Sequence, residues 1–296
     1  MEQTGFNSFL VYFDIKEGIP LTPERYKIYQ PKFKHKDEIE DIESNSLIAA
    51  ESFSIQLNNY TKIKKYIWWL SVSYADRSPQ SNIRKIKNLI KVTLRLREKP
   101  TNHFNFSIQD CINLCGSKYA YQFLEKRGIK NVKYLIEPIS KPFLETPTNN
   151  HYERNNIILY NPAKPSKTMK KLLDHNKFNF KLLQGYNTSE LSELYQKAKL
   201  YIDFGLFGGP ERMPKEAVYF GCTILVGKRN AAKNNYDVAI PNKYKIKKID
   251  DLQKIEKRIN YMLNHYDQNI DDFKPFQNQI RNLENNFIQQ IAKIFT

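Results

Sequence analysis

The chain is short of the features on which several protein classes depend. Its 296 residues include only three cysteines, Cys111, Cys115 and Cys222. So small and odd a set excludes a disulfide framework and points to a reducing cytoplasm. No apolar run approaches the roughly 20 residues that a bilayer-spanning helix needs, and Tyr66–Val72 is typical of the longest. No basic segment leading into an apolar run and a small-residue cleavage site opens the sequence, so no signal peptide is read. A Walker A loop and a Gly-x-Gly-x-x-Gly run are both missing, which argues against an NTPase or a simple dehydrogenase. The five histidines are scattered, and no second Cys/His pair follows Cys111 and Cys115 at ligand spacing, so no metal site is expected.

What is present describes a folded, strongly basic protein. Hydrophobic residues make up 41% and charged residues 26%, which excludes a mostly disordered chain. The net charge of +16 favours polyanions, phosphorylated ligands or an anionic membrane face, although the abundance of Lys, Asn and Ile also suits an AT-rich genome. Residues 1–50 carry net −3 and residues 51–100 net +8. The tract 81–99 holds Arg84, Lys85, Lys87, Lys91, Arg95, Arg97 and Lys99 against Glu98, with Ile83, Ile86, Ile90 and Leu94 at helical spacing. That pattern suits a domain helix with a solvated basic face, or an amphipathic helix lying on an anionic membrane surface. No block of five or six like charges and no aromatic–basic RNP pattern occurs, so nucleic acid is not the expected partner.

Short apolar runs alternate with helical patterns, the mark of βαβ units and parallel sheet. Expected strands are 8–13, 46–50, 65–72, 102–107 and 132–136 in the first half, with helices at 36–44, 52–60, 83–97 and 116–127. The second half reads as strands at 156–160, 179–184, 200–204 and 223–226, with helices at 167–176 and 189–197 and one starting at 215–220. Two terminal helices, 249–265 and 276–295, follow. In the last, Phe276, Ile280, Leu283, Phe287, Ile291 and Ile294 form one apolar stripe. Pro138, Pro142, Pro147 and a Thr-Asn-Asn-His run give residues 138–155 a linker composition. The expected architecture is α/β: two Rossmann-like domains, 1–145 and 146–296, facing a cleft beyond the carboxyl ends of their strands.

Glycine is scarce and uneven. Six of the ten fall in residues 185–227: Gly185, Gly205, Gly208, Gly209, Gly221 and Gly227. The segment Tyr201-Ile-Asp-Phe-Gly-Leu-Phe-Gly-Gly-Pro-Glu-Arg-Met-Pro-Lys-Glu-Ala-Val runs from a strand through a glycine-rich loop into a helix opening near Pro214. Free N–H groups and the positive dipole end at such a helix start bind diphosphate. Arg212 and Lys215 would add formal charge there. A plain turn before an exposed, charged first turn accounts for the same residues.

This run, with Gly221-Cys-Thr and Gly227-Lys-Arg after it, resembles the nucleotide-sugar half of GT-B-fold glycosyltransferases. It is most similar to the bacterial group-1-like family of surface-polysaccharide assembly (capsule, O-antigen and lipopolysaccharide). Ile157-Ile-Leu-Tyr-Asn-Pro-Ala-Lys164 resembles that half's first strand and basic loop, and Lys181-Leu-Leu-Gln-Gly-Tyr186 its base-binding turn. The resemblance covers about residues 155–245; over 1–140 it rests on Ile67-Trp-Trp-Leu-Ser71 and the βα rhythm. It implies a peripheral enzyme of the cytoplasm and inner membrane face. Such an enzyme moves sugar from a nucleotide-diphosphate donor to a glycan or lipid-linked acceptor, with no metal cofactor and with retention. The sequence also lacks the Asp-x-Asp triplet of metal-dependent GT-A enzymes.

The resemblance assigns roles by position. Glu216 would accept hydrogen bonds from the donor ribose. Arg212 and Lys164 would hold the diphosphate and stabilise its developing charge. Gly185 and Tyr186 would border the base, and Gly208, Gly209, Glu211 and Lys215 the phosphates or sugar. The family's first glutamate, eight residues before its second, is here Gly208, and Glu211 is the nearest alternative. Should a base act from the first half, Asp76 leads, ahead of Asp14, Glu51 and His103. The last helix is expected to cross back to the first domain. A degenerate GT-B-like assembly protein, or a charge-driven membrane- or RNA-surface binder, are the competing readings.

Overall fold

A computed structural model describes residues 4–12, 22, 24–72, 110–148, 153–163 and 166–296. Asp14, Asp76, His103, Lys164, the expected strand at 102–107 and the basic tract 81–99 lie outside the described residues.

In the first half, β1 (Leu10–Tyr12) and β2 (Phe33–His35) form a small parallel pair. A parallel sheet is built from β3 (Ser46–Ala50), β4 (Lys64–Trp69), β5 (Ile112–Cys115) and β6 (Val132–Tyr134). Its spatial order, β3-β4-β5-β6, repeats the order along the chain. Trp68 and Trp69 show that both faces are covered, since neighbouring strand residues point to opposite sides. The indole of Trp69 donates to Asn113 Oδ1 at 2.8 Å within one core, whereas that of Trp68 donates to the Leu135 carbonyl at 2.9 Å on the other face.

Two helices expected in this half are 3-10 segments, Lys36–Glu38 and Glu51–Asn59. The second has a plain cause. Its buried positions, Glu51, Ser54 and Leu57, recur every third residue and lead on to buried Tyr60. A threefold repeat matches the 3-10 helix, not the 3.6-residue α-helix. The helix expected at 116–127 is α1 (Lys118–Glu125), with Ser117 accepting the Ala120 N–H as its N-cap.

The second half carries β7 (Asn155–Tyr160), β8 (Asn179–Leu182), β9 (Ala198–Asp203), β10 (Thr223–Gly227) and β11 (Lys245–Ile246). All pairs are parallel, in the order β8-β7-β9-β10-β11. Around them run α2 (Lys141–Glu145), α3 (Lys167–Asp174), α4 (Thr188–Lys197), α5 (Arg212–Tyr219) and α6 (Leu252–Asn264). The chain ends in α7 (Tyr266–Asn269), α8 (Lys274–Arg281) and α9 (Leu283–Phe295). Part of the proline-rich connection is built in. Ile139 and Phe143 lie in the second half's core, and Tyr219 donates its hydroxyl to the Leu144 carbonyl at 3.1 Å.

The terminal apolar stripe is divided between two cores. Phe276, Ile280 and Leu283 join the second half's core. Past the break between α8 and α9, Ile291 and Ile294 pack with Tyr66 and Leu114 of the first sheet. Phe287 stacks on Trp68 at 6.0 Å, and Gln290 Oε1 accepts the Ile136 N–H at 2.9 Å. The last helix therefore crosses back and roofs the first sheet.

Candidate functional site

The order of the second sheet places the site. From β7 the chain steps outward to β8, then returns past β7 to β9 and on to β10 and β11. Strand order reverses between β7 and β9. A crevice opens beyond the carboxyl ends at such a switch point, because the two connecting loops leave in opposite directions. The described segments that flank it are 161–163 and 204–211. They belong to the basic loop and the glycine-rich loop of the sequence.

The helix starts around this edge differ. Ser166 caps α3 by accepting the Met169 N–H at 3.0 Å. Asn187 and Glu190 form a reciprocal capping box on α4. Glu211 stands at the N-cap of α5 without a side-chain cap bond. The helix opens at Arg212, two residues before the expected start. Pro214 is thus its third residue, where the missing N–H breaks no intrahelical bond. Arg212 is exposed on the first turn, and no described residue bonds its guanidinium.

One turn further in, Glu216 is buried at 6% exposure, and Tyr195 of α4 donates its hydroxyl to Oε2 at 3.2 Å. Burial pushes the Glu216 carboxyl above the usual range, while Arg212, the Tyr195 bond and Lys215 pull it back. Asp203 at the end of β9 accepts the Gly205 N–H at 2.7 Å and so sets the loop's departure. Arg229, beyond β10, donates Nη2 to the carbonyls of Phe204, through a short bond, and Gly205, at 3.3 Å. At the end of β8, Gly185 takes φ +83 with open space around its α-carbon, and Tyr186 is half-buried with Lys181 Nζ 5.9 Å from its ring centre.

Other expected ligand groups meet protein. Lys215 is 4% exposed, and its Nζ donates to the Glu137 carbonyl at 3.0 Å, so its ammonium is tied to the connection between the halves. Burial lowers its affinity for a proton. Gly208 accepts the Val72 N–H at 2.9 Å. A Cβ on Gly209 would stand 1.9 Å from the Leu70 carbonyl oxygen, so glycine is required there by backbone of the first half. A Cβ on Gly116 would meet Pro210 at 3.3 Å. The glycine-rich loop therefore has two sides, one at the switch point and one on the exit of β4.

Three groups here were not singled out by the sequence. Glu137, at the end of the first sheet, is raised by burial and held back by Lys215 and then Arg212. Its only signal is its place before Pro138. Tyr195 sits on an amphipathic helix and reads as core. Asp237 reaches across the halves to cap α1, accepting from Lys118 N at 2.7 Å and Tyr119 N at 3.0 Å. Among the described residues no group of three His, Cys, Asp or Glu is placed to hold a metal, and no helix is long and apolar enough to cross a membrane.

No family model and no curated protein matches the sequence. Solved structures match the fold. S. aureus TarM, in complex with fondaparinux, alpha-GlcNAc-glycerol and UDP, superposes with TM-score 0.58 at 13% identity, over 88% of this chain. The match spans 57% of the TarM chain. Sucrose-phosphate synthase from Thermosynechococcus elongatus gives 0.53 at 10% identity, over 84% of this chain and 72% of that one. T4 phage BGT in complex with UDP and Mn2+ gives 0.52 at 11%, over 99% of this chain and 91% of that one. The fold is GT-B.

Proposed function

We propose that the chain is a glycosyltransferase that binds a nucleotide-diphosphate sugar in the second half, 146–296, and an acceptor in the first, 1–145. One observation carries this reading. The α5 start, without a side-chain cap and bearing Arg212, opens at the topological switch point, one turn before the buried Glu216. An anionic diphosphate fits the first, and a pair of ribose hydroxyls fits an acceptor-only carboxylate. The UDP in the TarM and BGT complexes supports the ligand class.

The chemistry then follows from charge. As the glycosidic bond breaks, the sugar approaches an oxocarbenium ion and the leaving diphosphate gains negative charge. Arg212, Lys164 and the N–H groups of α5 stabilise that charge without a resident metal. Gly185 and Tyr186 border the base, and Glu211 lies nearest the sugar. We assign retention, with a glycan or lipid-linked acceptor as in surface-polysaccharide assembly. The basic tract 81–99 would rest on the inner face of a bacterial membrane.

A melting-temperature panel with UDP, GDP, ADP, CMP and TDP, each with and without EDTA, tests the reading. A ligand selective for the folded state raises the transition according to its affinity. One nucleoside diphosphate that stabilises the protein in EDTA supports it, and no response to any of them sinks it. The second reading, a degenerate binding or assembly protein, is favoured by the contact of Gly208 and Gly209 with the first half. Hydrolysis of the stabilising nucleotide's sugar conjugate decides against that reading.

A further inference from the structure

The exit of β4 is where the first half meets the glycine-rich loop, and one buried carboxylate holds it. Glu51 stands at the carboxyl end of β3 and is 6% exposed. Its Oε2 accepts the Leu70 N–H at 3.1 Å, and the Ser71 N–H also donates to it. A carboxylate is acceptor-only, so it takes two amides without conflict, whereas an amide side chain would turn an N–H donor toward one of them. Leu70 is the residue whose carbonyl lies 1.9 Å from the position a Cβ on Gly209 would take. Val72, two residues on, donates to Gly208. Glu51, the Leu70–Val72 backbone and the Gly208–Gly209 backbone thus form one continuous contact, which ends three residues before Arg212.

We propose that Glu51 is a positioning residue for the transfer step. It fixes the backbone against which the glycine-rich loop closes, and so sets the distance between the donor half and the acceptor half. This rests on the glycosyltransferase reading above. The nucleotide contacts assigned there all belong to the second half. Loosening the contact therefore leaves nucleotide affinity in place and removes the alignment of donor with acceptor or water, on which rate depends steeply.

The test compares Glu51→Gln, Glu51→Leu and Gly209→Ala in the full chain. Three quantities are read: hydrogen exchange of the 70–72 amides, UDP affinity, and UDP release from UDP-glucose. For Glu51→Leu we expect exchange about tenfold faster and kcat about tenfold lower, with UDP affinity kept within about twofold. Glu51→Gln, which retains one acceptor oxygen, should fall between it and the unaltered protein. Gly209→Ala should copy Glu51→Leu, because it pushes the same two backbones apart. Unchanged exchange in Glu51→Leu and Glu51→Gln overturns the proposal. So does a parallel loss of UDP affinity and melting temperature, which marks a merely structural acid. Loss of UDP affinity in Gly209→Ala with normal exchange would show that glycine facing the ligand instead. An unaltered protein that neither binds UDP nor releases it counts against the nucleotide reading, while the exchange data still decide the role of Glu51.

Discussion

The two sheets are alike in being parallel and covered on both faces, yet among the described strands only the second reverses its order. Along the described strands of the first sheet, neighbours in space are neighbours in sequence, β3-β4-β5-β6. In the second the order turns back between β7 and β9, and the loops there separate. Charge would have pointed the other way, since residues 51–100 carry net +8. Topology decides where an anion can be enclosed, and charge decides how strongly it is drawn in.

The comparison breaks most sharply at Arg212. Replacing it by Ala should lower turnover by roughly 10²–10³-fold, as loss of one charge-stabilising donor does. The melting temperature should hold, because the side chain is exposed. Normal turnover would move the site out of the second half. Next is Ile291→Ala in α9. The residue is 3% exposed against the first sheet, and truncation there should cost about 2–4 kcal/mol. Urea unfolding followed by tryptophan fluorescence reads this directly, since both tryptophans lie on β4. A negligible change would mean that the roof contributes little.

Glu216→Gln keeps a partner for Tyr195 and removes the charge. Nucleotide affinity should fall about tenfold, in line with loss of a charged hydrogen bond. Isothermal titration at matched melting temperature checks it, and unchanged affinity takes Glu216 out of the site. The smallest effect belongs to Asp41. Its carboxylate accepts from Thr61 N, Thr61 Oγ1, Lys62 N and Ile63 N at 2.8–2.9 Å. The Ile63 and Thr61 amides lead in holding it well below the usual carboxylate range. A folded-state pKa below the unfolded one means stability that is full above the unfolded value near 3.8 and is lost as pH falls. The first half should weaken below about pH 4, and Asp41→Asn should flatten that acid limb in the same fluorescence signal. An unaltered acid limb would assign it to other carboxylates.

The second half was the more legible of the two, for physical reasons. Residues in β9 and β10 are buried almost without interruption, so their apolar runs stand out. The β7–α3–β8–α4 succession carries ordinary caps. In the first half β5 escaped notice. It is four residues long, and Asn113 within it looks like a turn residue until its side chain is seen to take the Trp69 indole. Of the candidate site, the sequence offered the motif that holds Arg212, Glu216 and the glycines, and the roles proposed for them come from that motif. Sequence alone does not say that the same loop has a second face, because what Gly209 touches lies 139 residues earlier, at Leu70. Long-range contact leaves no local periodicity.

The divided stripe of the last two helices bears on how the molecule is made. Synthesis delivers the first sheet early and its roof last, since α9 comes roughly 150 residues after β6. At translation speeds of about 5–20 residues per second, that is a wait of roughly 8–30 s. Throughout it Tyr66, Trp68 and Leu114 have no final cover. A ribosome-bound nascent chain stopped before α9 therefore presents a natural client surface for a chaperone, and the order of assembly runs against the order of birth.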